Sequence, residues 1–218
     1  SGFVIYYNYK DKLHNFILLK LFIKKRFLRL YPLHIFFLIL FLIIELLKYF
    51  VKIYYNLDAN NIVFSKNDFN AFISNLLLVH TFLTEYTFNT PSWSISAEFI
   101  TYIFFALLLF FNSGIFFSII VILAIFLIRI NDDINFGASN SGYKSLLDCI
   151  YSFYFGLIFS KIYIKINNLH IYQTFKNFFS ILFLITLISS FIYLSEKYFL
   201  LFPIIFGFTI LFSCYVNK

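Results

Sequence analysis

The chain has 218 residues, of which 61% are hydrophobic and 12% are charged, with a formal net charge of +7. That much apolar sequence exceeds what one soluble core can hide, which excludes a soluble globular domain and leaves an integral membrane protein. Long, closely spaced apolar runs also argue against barrel strands of about ten alternating residues, and predict an all-α, polytopic transmembrane helical bundle.

In chain order, SGFVIYYNY at 1–9 reads as part of a span. No methionine occurs anywhere, and the chain opens as though a helix had been entered midway. The expectation is one transmembrane domain over 1–218, truncated at its N-terminus and at its C-terminus. No signal-peptide pattern is present, because the basic residues follow the first apolar ones and no small-residue cleavage site comes after them. KDKLHNFILLKLFIKKRFLR at 10–29 is read as a basic loop holding His14. Apolar spans are expected at 30–50, 94–112, 114–130, 145–162, 178–194 and 198–216. AFISNLLLVHTF at 71–82 is too short to cross and reads as a re-entrant or interfacial segment.

A second basic stretch, KIYIKINNLHIYQTFK at 161–176, contains His170. The positive-inside rule puts both basic stretches in the cytoplasm. The 51–92 connection and the loop NDDINFGASNSGYK at 131–144, with Asp132 and Asp133, then fall outside. The positive charge therefore reports membrane anchoring, with lipids as partners and no nucleic acid. The expected location is a cell membrane, crossed several times.

Among chemistry-bearing residues, Arg26 and Arg29 come first. Spaced i and i+3, they share one helix face where their guanidiniums can fork onto phosphate oxygens. An orientation signal shared with Lys24 and Lys25 is the plainer reading. With three arginines against fourteen lysines in the chain, two arginines paired at one membrane edge lean toward bidentate recognition.

NTPSWSISAEF at 89–99 comes second. Pro91 and Ser92 suit a helix start, and Ser94, Glu98 and Thr101 or Tyr102 follow on one polar stripe, with Ser96 off that face. A carboxylate in a span is costly and usually faces a bundle interior or a cavity, so Glu98 is a site candidate. Alternatively it favours the positive end of the helix dipole or ties two helices together. Trp93, the sole tryptophan, is an interfacial anchor or a wall of a site.

His34 lies one turn into the 30–50 span, and His80, in the short outer segment, reads as a hydrogen-bonded packing residue rather than a base. Glu45 and Asp148 are lesser intramembrane candidates, and Cys149 and Cys214 read as small packing residues. No HExxH, paired CxxC, GxSxG or P-loop pattern occurs, so zinc, serine-hydrolase and nucleotide-hydrolysis chemistry lack support. Neither a metal nor a bound cofactor is expected.

Taken together, these stretches resemble one family. SGF at 1–3 resembles the end of the "LSGF" element, RFLRLYP at 26–32 the Arg-x-x-Arg-Leu-x-Pro element, and NTPSWSISAEF the "PSWSLSVE" element of the integral-membrane acyltransferase-3 family. CIYSFYFGLIFSKI at 149–162 is similar to that family's later aromatic-glycine helix. All occur in the family's order. Ile95 and Ala97 stand where Leu and Val are usual, which keeps the apolar character.

The resemblance implies transfer of an acyl group, commonly acetyl, from cytoplasmic acyl-CoA to a hydroxyl of an extracytoplasmic glycan at a bacterial inner membrane. Arg26 and Arg29 would hold the acyl-CoA phosphates. Glu98 and Ser94 would support catalysis at the outer end of their span, opposite the cytoplasmic arginines, and Trp93 and Ser96 would face the acceptor. The family's presumed catalytic histidine lies on an earlier helix that this chain does not contain, and neither His34 nor His80 matches its position. The chain alone is therefore expected to be inactive. A transporter or flippase is the rival reading, since Glu98 with nearby Ser and Thr could line a substrate path, and a non-enzymatic sensor or scaffold is a third class.

Overall fold

In the computed structural model the described residues are 1–13, 15–57, 62–83, 88–111, 115–131, 142–168, 176–192 and 201–216. His14, His170, Asp132 and Asp133 lie outside them. The described residues form nine α-helices and one short 3₁₀ turn, with no strand among them: α1 Gly2–Tyr9, α2 Phe16–Tyr55, α3 Phe69–Leu76, α4 His80–Leu83, the turn Thr90–Ser92, α5 Trp93–Phe110, α6 Ile115–Asn131, α7 Tyr143–Asn168, α8 Lys176–Ile192 and α9 Phe202–Val216. Three of them, α2, α5 and α7, are long and apolar enough to cross a membrane. The chain is an all-α transmembrane helical bundle. Along α2, Leu33, Phe36, Ile43, Leu47 and Phe50 are exposed, as side chains bathed in lipid should be.

Two expectations need correction. The basic stretch at 10–29 is mostly helix rather than loop, since α2 begins at Phe16 and runs for 40 residues. Leu, Lys and Arg are all good helix formers, and nothing in FILLKLFIKKRFLRL breaks the run. At 1.5 Å per residue α2 is about 60 Å long, twice the hydrocarbon thickness, so its basic half need not enter lipid. Pro32 sits inside α2, where it lacks the N–H that would bond the Leu28 carbonyl.

The second concerns 51–92, expected to be an outer connection apart from the re-entrant or interfacial 71–82: its described residues pack back along α2 from Asn67 onward. Asn67 donates to Glu45 Oε1 at 2.8 Å, Ala71 joins Leu38 and Phe88 in one apolar cluster, and His34 Nε2 bonds the Asn75 carbonyl at 2.9 Å. The segment thus doubles back beside α2 from Glu45 to His34, a drop of about 16 Å. Glu45, buried and held by Lys48 at 2.9 Å and by the Phe64 amide at 3.3 Å, is the clip that starts this return.

The chain divides into two compact units, Ser1–Asn15 with Leu109–Gly137 and Ile150–Lys218, and Phe16–Leu108 with Ala138–Cys149. In the first, Phe3, Phe159, Tyr163, Leu211 and Phe212 form the core, with Leu182 and Phe183 of α8 packed on it. Here α1 meets α7 backbone to backbone. A Cβ on Gly156 would stand 2.8 Å from the Phe3 nitrogen, and one on Gly2 would collide with the Phe153 carbonyl oxygen. Small residues at a helix contact allow such an approach, and dispersion between the closely spaced backbones then holds the pair. SGF and SFYFG therefore have a packing reason for their glycines. Gly156→Ala should cost about 1–3 kcal/mol of stability, read as a lower melting temperature in detergent; an unchanged melting temperature would contradict the close approach.

Candidate active site

All the candidate residues at 26–34 and 92–102 belong to the second unit. There α5 packs antiparallel along the N-terminal half of α2. Phe105 and Tyr102 meet Phe22 at ring-centre distances of 6.0 and 6.3 Å, and Phe99 meets Phe27 at 5.7 Å. Higher on α2, the α3–α4 segment covers the stretch that α5 does not reach. Helix α3 ends and α5 begins near the level of His34, and the backbone groups freed at that break need partners in an apolar interior.

The break is closed by backbone amides and side chains together. Helix α3 ends in a Schellman turn, with the Leu78 amide on the Asn75 carbonyl and the Val79 amide on the Ser74 carbonyl at 3.1 and 2.9 Å. Leu78 takes the left-handed position, φ 56°, that glycine usually fills. The Ser96 hydroxyl then donates to the Leu78 carbonyl at 2.7 Å, Thr81 donates to the Trp93 carbonyl at 3.2 Å, and His80 Nε2 bonds the Ser92 carbonyl at 3.0 Å.

The rings of His34 and His80 lie nearly parallel, 5.7 Å apart, and both are buried. Because each Nε2 faces a carbonyl, each must carry the proton there. His80 is therefore a hydrogen-bonded packing residue, but not a lone one. The 46 residues separating it from His34 gave no warning of the stack. A cavity of about 20 Å³ beside His34, Asn75 and Ser92 has room for one water.

Below the break lies a second polar group. The Arg26 guanidinium carbon stands 5.2 Å from the centre of the Phe22 ring and 5.3 Å from that of Tyr102, a cation between two aromatic faces. Tyr102 is 1% exposed, and its hydroxyl donates to Glu98 Oε1. One side chain thus touches both the arginine and the carboxylate. The expectation that Glu98 lies across the membrane from Arg26 is overturned. It assumed that α5 starts beside the outer end of α2, whereas α5 starts beside His34 and descends to Phe22.

Arg29 is exposed and Arg26 half-buried, so the pair presents one free and one anchored guanidinium. Thr101, fully buried, donates to the Ala97 carbonyl at 2.7 Å and contacts Cys149 Sγ at 3.5 Å. Cys149 and Cys214 are both free thiols.

The remaining candidates separate. Ser94 is exposed, with its hydroxyl on the Pro91 carbonyl at 2.9 Å. Trp93 is half-buried at the head of α5. Ser96 is fully buried, and its hydroxyl is spent on Leu78. Glu45 belongs to the loop clip, and Asp148 is half-buried at the start of α7. Tyr102 was visible on the stripe with Glu98, but its contact with Arg26 depends on the α2–α5 register, which no local pattern encodes.

Ser96→Ala would strand the Leu78 carbonyl and should cost about 1–3 kcal/mol, seen as a lower melting temperature. Full stability combined with a raised acceptor KM would instead put Ser96 against the substrate.

The acyltransferase-3 family model, described as an acyltransferase domain, matches residues 1–218, the whole chain. No curated protein and no solved structure matches it.

Proposed function

The chain belongs to the acyltransferase-3 family, and from that premise we propose that it moves an acyl group, acetyl in the simplest case, from cytoplasmic acyl-CoA to a hydroxyl of a cell-surface polysaccharide or other glycan. Acyl transfer in general follows from family membership; donor, acceptor and direction are our reading. The setting we assign is a bacterial plasma membrane, with the enzyme crossing it several times.

The observation that carries this reading is the joint placement of Arg26 and Glu98 on Tyr102. Arg29, exposed, and Arg26, anchored between rings, offer planar donor forks for the donor's phosphates. CoA holds its thioester on a flexible arm away from those phosphates, so a donor gripped by the arginines can bring its acyl carbon to a carboxylate nearby. In the transfer, the acceptor hydroxyl oxygen bonds to the acyl carbon, the C–S bond breaks, and CoA leaves as a thiolate. The hydroxyl gives up its proton and the thiolate takes one up, so the step involves no net redox change. Glu98 supports the attack by accepting a hydrogen bond from the incoming hydroxyl.

Ser94 and Trp93, at the head of α5, are assigned to the acceptor side. Ser96 is assigned to holding the break in shape, a positioning role. Transport alone would not require an arginine pair beside a carboxylate, although a helix break suits a transporter.

Arg26→Ala with Arg29→Ala should weaken acetyl-CoA binding by at least roughly tenfold, each lost charged hydrogen bond being worth about 1.5–3 kcal/mol. Binding of radiolabelled acetyl-CoA to membranes carrying the full-length protein measures it, and undiminished binding would contradict the donor site. Glu98→Gln should slow acyl transfer by roughly tenfold or more while leaving the amount of protein in the membrane unchanged. Wild-type turnover in that variant would return Glu98 to a purely structural role.

A further inference from the structure

We propose that Tyr102 is the positioning residue that fixes the donor-binding arginine and the carboxylate relative to each other, through its ring on one side and its hydroxyl on the other. The inference rests on the donor-site reading above and adds a residue to it.

Three features of the geometry point to Tyr102. Its ring supplies one of the two aromatic faces against Arg26, the other being Phe22, and the two rings meet edge to face at 77°. Its hydroxyl is on Glu98 Oε1, one helical turn back on the same face of α5. Its side chain is almost entirely buried, so its position is set by α2 and α5 rather than by solvent. Arginine carries about 2 kcal/mol of rotamer entropy, and a carboxylate at a half-buried site has several rotamers of its own. A single rigid ring that contacts both removes much of that freedom before any substrate arrives, which is how an arrangement of groups is organised in advance.

The two contacts are chemically separable, which gives the test. Tyr102→Phe keeps the ring against Arg26 and removes the donor to Glu98; Tyr102→Leu removes both. The assay follows label from radioactive acetyl-CoA into acceptor in membranes carrying the full-length protein, with kcat and the acetyl-CoA KM measured separately. Tyr102→Phe should lower kcat roughly tenfold and leave KM within about twofold. Tyr102→Leu should show the same loss in kcat and also raise KM roughly three- to tenfold. Adding Tyr102→Phe to Glu98→Gln should cost nothing further in kcat, because the hydroxyl acts through that carboxylate.

A residue that merely fills space would not divide its effects in this way. Wild-type kinetics in Tyr102→Phe, equal kcat and KM changes in both variants, or additive losses with Glu98→Gln would each overturn the proposal. If Arg26→Ala alone leaves the acetyl-CoA KM unchanged, the donor-site reading fails, and the Tyr102–Glu98 coupling is then decided by the double variant on its own.

Discussion

Everything near the candidate site depends on one constraint: where α3 ends and α5 begins inside an apolar bundle, the polar backbone groups need partners. The Leu78 and Val79 amides close the end of α3, and side chains tie the pieces together: Ser96 donates to the Leu78 carbonyl, Thr81 to the Trp93 carbonyl, His80 to the Ser92 carbonyl and His34 to the Asn75 carbonyl. Together with the Glu45 clip and the Leu38–Ala71–Phe88 cluster, these bonds hold the described residues of 62–92 in their descent along α2. Without that descent, α5 would not start at the level of His34, and Tyr102 would not reach Arg26.

The polar residues of the unit therefore fall into two tiers with different work. At the break, Ser74, Asn75, His80, Thr81 and Ser96 are nearly or fully buried and spend hydrogen-bonding capacity on backbone or on one another. Lower down, Arg26 and Glu98 each contact Tyr102, and exposed Arg29 lies one turn along α2 from Arg26. The first tier resembles the clip at Glu45, which anchors the same returning segment at its other end. The second tier brings an arginine and a carboxylate onto one tyrosine, and that is the pairing on which the proposed acyl transfer draws. PSWSISAE accordingly contains both kinds of residue, its third serine, Ser96, holding the break and its glutamate, Glu98, meeting Tyr102.

Much of this was legible in the residues. Apolar run lengths placed α5, α6 and α8 to within two or three residues, and the shortness of AFISNLLLVHTF already argued that it does not cross. The Arg26–Arg29 spacing and the intramembrane cost of Glu98 pointed to two residues, Arg26 and Glu98, that α2 and α5 bring onto Tyr102, whereas the glycine of SFYFG stood out only by resemblance and its close helix contact appears in the structure. The length of α2 was not legible, because a run of lysines and arginines reads as a loop by charge although it is helical by propensity. The reading of 71–82 as re-entrant or interfacial left the partners of its descent open, since the positive-inside rule assigns sides to loops but says nothing about which helices a returning segment packs between. The His34–His80 stack and the Tyr102 bridge are consequences of that fold-back and of the α2–α5 register, both long-range in sequence.

The central claim is that arginines and carboxylate share one site on α2 and α5. A photoreactive acyl-CoA, carrying its crosslinker on the acyl group, tests it most directly once labelled peptides are mapped by mass spectrometry on the full-length protein. The account predicts label on both α2 near Phe22–Tyr31 and α5 near Phe99–Tyr102, competed away by unlabelled acetyl-CoA. Competable label confined to α2, with none on α5, would contradict it.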